Sequence, residues 1–159
     1  MASKRNGVVQ FCDDIRQEIG NKYSLMGCYA DDLITDCIPT VLPKLCAQVK
    51  FFSSPNQPFS KLVFRATMRD ASIAEIEVPD PHNVASSVHA DGEPLRRISY
   101  VAMFVFSPLS VAEPGRIKIE VETEDGIFEI GSLLIRKRAE GELLFPWDQT
   151  NSEPNVPKP

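Results

Sequence analysis

The chain has 159 residues, 43% of them hydrophobic and 25% charged, with a net charge of −5 and a pI near 5.1. That balance suits one globular domain, burying roughly 68–70% of its unfolded surface without disulfides or metals, and argues against general affinity for nucleic acid. No apolar run approaches the ~20 residues of a membrane-spanning helix, the start carries charge without an apolar signal core, and four cysteines lack any CxxC pair. The expectation is a cytoplasmic protein with reduced thiols and no membrane segment.

Gly7–Cys12 is a short apolar run that fits a first strand. Asp13–Gln17 then resembles a capped or helical turn, with Asp14 and Gln17 spaced as in a capping box. Gly20-Asn21 marks a break, and Tyr23–Tyr29 reads as a second strand with Asp31, Asp32 and Asp36 around its exit. In Val41–Phe52, Val41, Leu45, Ala47, Val49 and Phe51 share one parity and Lys44, Gln48 and Lys50 the other, the pattern of a half-buried strand. Pro39 and Pro43 are confined to its start, where proline is tolerated.

Lys61–Asp70 alternates in the same way, and Ser72–Val78 adds a short strand. Pro79–Arg97 keeps no sustained period and holds both histidines. Loops of this length in compact domains are functional or disordered. Ile98–Phe106 is almost continuously apolar, as expected of a central strand covered on both faces, and Pro108 ends it.

Gly115–Arg138 carries the clearest pattern. Ile117, Ile119 and Val121 alternate with Lys118, Glu120 and Glu122, and Asp125-Gly126 follows, a dipeptide suited to a type I′ turn. A loop of those two residues predicts Glu124 opposite Ile127, Thr123 opposite Phe128, Val121 opposite Ile130 and Ile117 opposite Leu134. The same register sets Glu122 across from Glu129 on the wet face. Seven or eight strands and no long amphipathic helix predict an all-β fold, a single antiparallel β-sandwich over residues 1–142. Residues 143–159 form a tail, polar at its end but opening with the apolar Leu143-Leu144-Phe145-Pro146-Trp147.

Two segments carry a resemblance. Gly20, Lys22, Ser24, Leu25, Gly27 and Tyr29, together with the hairpin from Pro114 to Ile135, are similar to the two ends of a family of small bacterial and phage-borne proteins known as a domain of unknown function. Asn21 is an insertion relative to that pattern. The hairpin also resembles those of immunoglobulin-like and C2-like sandwiches. The resemblance implies the fold and assigns no catalytic residue.

Several residue groups invite a chemical reading. Asp13, Asp14, Asp31, Asp32, Asp36 and Asp70 lie near strand ends, but without the spacing of a calcium loop, and aspartate is common in turns. The thiols of Cys12, Cys28, Cys37 and Cys46, with His82 or His89, lie too far apart for ordinary zinc spacing, and cysteines within strands are commonly small buried hydrophobes. No metal and no cofactor is therefore expected. His82, Ser86, Ser87, His89 and Asp91 hold the ingredients of a hydrolase without a nucleophile-elbow motif. Arg136-Lys137-Arg138 reads as a solvated strand end.

The expected function is a non-catalytic binding module. Its contacts are placed at His82, His89, Arg96 and Arg97 in the long loop and at Phe145 and Trp147 in the tail. A protein partner is expected, and Arg96 and Arg97 suit a small anionic ligand. Three alternatives stand beside it: a phage or mobile-element protein sequestering a host defence factor or signalling nucleotide, a structural assembly subunit, and a hydrolase using the His82/His89 loop. Sheet edges and the apolar tail leave self-association open.

Overall fold

A computed structural model describes residues 5–84 and 97–143. Within them the chain is all-β, with eleven strands in three open, mostly antiparallel sheets, where seven or eight strands were expected. Asp32–Thr35 and Leu109–Val111 add strands where none was expected, and the expected Val41–Phe52 strand yields two.

Strand β1 (Asn6–Glu18) runs straight through Asp13–Gln17, where a capped turn was expected. The polar residues stay extended because β2 (Lys22–Cys28) faces them, pairing Asp14 with Met26 and Arg16 with Ser24. The ladder satisfies the backbone groups that a helical turn would otherwise have bonded. The reversal comes at Gly20 (φ 82°) and Asn21 (φ 57°), the expected break.

Gly27 has φ 65°, and a Cβ there would collide with the Asp13 side chain, whose Oδ1 accepts the Tyr29 hydroxyl. Gly27→Ala is expected to cost ~1–2 kcal/mol, since it adds left-handed backbone strain and displaces that carboxylate. Urea unfolding measures it, and a cost below ~0.5 kcal/mol would remove Gly27 from the determinants of this hairpin.

The remaining strands are β3 (Asp32–Thr35), β4 (Thr40–Leu42), β5 (Leu45–Ser53), β6 (Leu62–Met68), β7 (Ala71–Glu77), β8 (Ile98–Phe106), β9 (Leu109–Val111), β10 (Gly115–Thr123) and β11 (Gly126–Lys137). Their orders are β2-β1-β5-β8, β3-β11-β10-β6-β7 and β4-β9. The expected Val41–Phe52 strand is divided at Pro43-Lys44. Val41 therefore pairs with Ser110 of β9 and is exposed, while Leu45 starts a separate strand. The β3–β11 pair is parallel, against the expectation of a purely antiparallel arrangement.

The hairpin turn falls one residue earlier than its Asp-Gly dipeptide suggests. Thr123 pairs with Gly126, Glu122 with Ile127 and Val121 with Phe128, and Glu120 faces Glu129. Two anchors explain this. Thr123 Oγ1 accepts the Asp125 amide at 3.1 Å, and the Glu124 carboxylate takes the Ser60 and Lys61 amides at 3.2 and 3.3 Å. A bulge at Ile119/Glu120 then shifts the ladder, so Ile117 opposes Leu133 rather than Leu134. The inward residues of β11 change parity across that bulge, from Phe128 and Ile130 to the buried Leu133 and Ile135. The facing Glu129 is relieved by Lys118 at 3.9 Å, while Lys61 and Arg65 hold Glu122.

One hydrophobic core draws on all three sheets. It takes Phe11, Val49, Phe51 and Phe104 from the four-stranded sheet, Leu33, Phe64, Ile119 and Leu133 from the five-stranded sheet, and Leu109 and Val111 from β9. Where β1 and β11 meet there is no room for a side chain. A Cβ on Gly131 would stand 2.7 Å from Val9 Cγ1. Arg136 is not a solvated strand end as expected. It bonds Asp32 at 2.7 Å and forks onto Glu142 at 2.8 and 2.6 Å, tying β11 to β3 and to the turn that follows. These charged hydrogen bonds hold the Glu142 carboxyl down at about 2.

Candidate functional site

Strand β8 departs from its expected place. Its nine residues are apolar except for Ser99 and Tyr100, as a central strand would be, yet it lies at the edge of its sheet. Ile98, Tyr100, Ala102, Phe104 and Phe106 point into the core, while Val101 and Val105 on the other face are 45% and 57% exposed. The expectation of cover on both faces is thus corrected. Across the same sheet Val8 and Met26 are also exposed, with Lys50 of β5 standing between Val101 and Val8. Two β-branched residues on the wet face of an edge strand are a known aggregation hazard unless something covers them.

A cleft of about 370 Å³ runs along β8 between the edges of the two larger sheets. Phe64, Ile76 and Val78 line one wall, and Tyr100, Val101 and Met103 contribute to the other. Among the described residues no strand pairs with the outer edge of β8. The described start of the 79–97 stretch is anchored at this cleft. At its start the Val78 amide bonds Leu62 O at 2.9 Å, and the Tyr100 hydroxyl donates to Pro81 O at 2.6 Å. Burial pushes the Tyr100 phenol up. At its end the Arg97 guanidinium lies 4.3 Å from the centroid of the Phe52 ring.

The structure places two of the sequence-predicted contacts here. His82 is exposed on the helical turn Pro81–Val84, and Arg97 is exposed on Phe52, with no carboxylate paired to it among the described residues. His89, Arg96, Phe145 and Trp147 lie outside the described residues, as do Ser86, Ser87 and Asp91. Leu143, where the description ends, is 53% exposed. A second apolar groove, about 280 Å³, lies over Pro39, Thr40, Val41 and Val111.

The other candidate groups disperse. Asp14 pairs with Lys44, Asp32 with Arg136 and Asp36 with Arg138. Among the described residues no three His, Cys, Asp or Glu side chains are placed to hold a metal ion. Cys12 and Cys46 are buried, but Cys28 is exposed, against the expectation of a small buried hydrophobe in each strand.

Val101 and Val105 were missed because an apolar run carries the same signature whether its second face is covered by the chain or by something else. The chain matches no protein-family model, and no curated protein is significantly similar to it in sequence.

Proposed function

We propose that this chain is a non-catalytic, intracellular binding module that receives a protein partner along β8. In this reading the two larger sheets stack as a sandwich, as their shared core and the close approach of Gly131 to Val9 suggest. The observation that carries it is the outer edge of β8, unpaired among the described residues and flanked by an apolar cleft and by exposed Val101 and Val105. An extended partner segment would add backbone hydrogen bonds to that edge and set alternate side chains into the cleft. The 79–97 loop, with His82 and Arg97 at its two ends, would frame the site, and Phe145 and Trp147 would add contacts from the tail. The resemblance to small phage-borne proteins motivates a host factor as the partner.

Val101→Lys with Val105→Lys tests this, because both side chains already face water and the fold should persist. The double variant is expected to keep its melting temperature and to recover its partner from native host lysate about tenfold less well. Undiminished recovery, with alanines also placed through residues 79–97, would reject the reading.

Arg97 supports a second reading, a small phosphorylated ligand held against the guanidinium edge, since no described carboxylate occupies it. A melting temperature indifferent to a panel of nucleotides would remove that option.

A further inference from the structure

The outer face of the four-stranded sheet holds three cysteines in one cross-strand row. Cys12 of β1 stands directly opposite Cys28 of β2 on one side and Cys46 of β5 on the other. All three are free thiols. The two pairings are not equivalent. The Tyr29 amide donates to Phe11 O at 2.9 Å, so Phe11 and Tyr29 form a hydrogen-bonded pair on that side. In an antiparallel ladder the pairs alternate, which makes Cys12 and Cys28 a non-hydrogen-bonded pair and Cys12 and Cys46 a hydrogen-bonded one.

Non-hydrogen-bonded partners stand ~4.5 Å apart at Cα with their side chains drawn together, within the span a disulfide bridges. The hydrogen-bonded pair holds its side chains further apart, and the Cys46 thiol is engaged with Asp13 O at 3.8 Å. Cys28 is exposed, so a small oxidant can reach it, whereas Cys12 is wholly buried and is reached only through its neighbour.

We propose that Cys12 and Cys28 form a redox-active dithiol, a cross-strand site of thiol–disulfide exchange that takes a low-molecular-weight disulfide as its oxidant. The Cys28 thiolate attacks one sulfur of the small disulfide R–S–S–R. That bond breaks, a mixed disulfide forms on Cys28, and the first thiolate leaves and takes a proton. Cys12 then loses its proton, and its sulfur attacks the Cys28 sulfur, expelling the second small thiolate. Two protein thiols are oxidised, and one small disulfide is reduced to two thiols.

The bond, once made, resists reversal. Burial, reinforced by Cys46, Cys28 and Asp13, pushes the Cys12 thiol up to about 11. A reductant arriving at the exposed Cys28 sulfur must therefore expel a poor leaving group.

The test uses the full chain carrying Cys37→Ser, which removes the other exposed thiol, incubated with oxidised glutathione. Non-reducing peptide mapping is expected to find a Cys12–Cys28 link, no retained glutathione, and Cys46 still alkylatable after unfolding. The cross-link should raise Tm by ~5–10 °C, because it closes the β1–β2 loop in the unfolded chain as well. Adding the exposed-site substitution Cys28→Ser should leave every remaining thiol unoxidised, and that variant folds whatever Cys12 contributes to packing. Glutathione persisting on Cys28, a link to Cys46, or disulfides only between molecules would each overturn the proposal.

Discussion

Phe51→Ala is expected to lower the unfolding free energy by ~3–5 kcal/mol, a large fraction of the 5–15 kcal/mol typical of a domain. Phe51 is fully buried on β5. Its ring stacks on Phe59 at 5.4 Å between centroids and leans on Phe128 at 6.0 Å, so it touches the 54–61 connection and β11 at once. Phe59 in turn meets Tyr100 edge-on at 5.3 Å, continuing the aromatic chain to β8. Gly7 is left without a side chain beneath this cluster, because a Cβ there would lie 2.6 Å from the Phe51 ring and 2.9 Å from Lys50 O. The cavity left by alanine cannot close, since three elements would have to move toward one another. Urea titration reads the effect as a fall in midpoint at constant slope. Phe52→Ala, on the opposite face of the same strand, should cost far less. If the two variants cost the same, the assignment of inward and outward faces on β5 fails.

The second large effect is expected at Glu124, in the β10–β11 turn. Its carboxylate takes the Arg5 guanidinium as well as the amides of Ser60 and Lys61. Arg5 is itself well covered. It sits 4.5 Å from the centroid of the Phe59 ring and also reaches Asp125 at 2.7 Å. Burial opposes ionisation of Glu124, but the Arg5 hydrogen bond and the amides of Glu124 itself and of Lys61 overcome it and bring the carboxyl from its ordinary 4.5 down to about 2. A depressed carboxyl stabilises the fold fully above pH ~4.5 and loses that contribution as the pH falls through about 2.

The full shift corresponds to ~3 kcal/mol, and partial exposure of the side chain reduces this to ~2 kcal/mol. Glu124→Gln should therefore cost ~2 kcal/mol at pH 7, with the gap to the parent chain narrowing below pH 4. A gap that stays constant from pH 7 to pH 2.5 would show that the carboxylate charge is not what secures this turn.

How much of this was legible in the residues follows from which interactions are local. The alternation in β5, β6 and β10 placed Val49, Phe51, Phe64, Ile117, Ile119 and Val121 inward, and all are buried. A strand with one buried face writes its period into its own sequence. The turn at Glu124-Asp125 was not legible, because one of the anchors that displace it is the bond from Glu124 to the Ser60 and Lys61 amides, 64 and 63 residues earlier in the chain. The bulge at Ile119/Glu120 was hidden for a similar reason. It aligns Gly131 with Val9, a partner on another sheet. Asp13–Gln17 has the composition of a turn and becomes a strand only because β2 returns alongside it. The loss of period at Pro79 agrees with the end of β7 at Glu77, but nothing in Ile98–Phe106 distinguishes an edge from a centre, since that depends on which strands end up beside it.

The parallel pairing of β3 with β11 sets the order in which this protein can mature. Leu33, a buried residue, has its neighbour Ile135 about a hundred positions downstream, and Asp32 waits for Arg136 across the same interval. During translation β1, β2 and β5 can zip together as soon as they leave the ribosome, whereas β3 stays an orphan until β11 has been made. At ~5–20 residues per second that interval lasts on the order of 5–20 s, during which Leu33 and Ile34 are available to chaperones or to a neighbouring nascent chain. The five-stranded sheet therefore cannot reach its final strand order vectorially. It closes from its far end backwards, with β11 serving as the strand that admits β3 last.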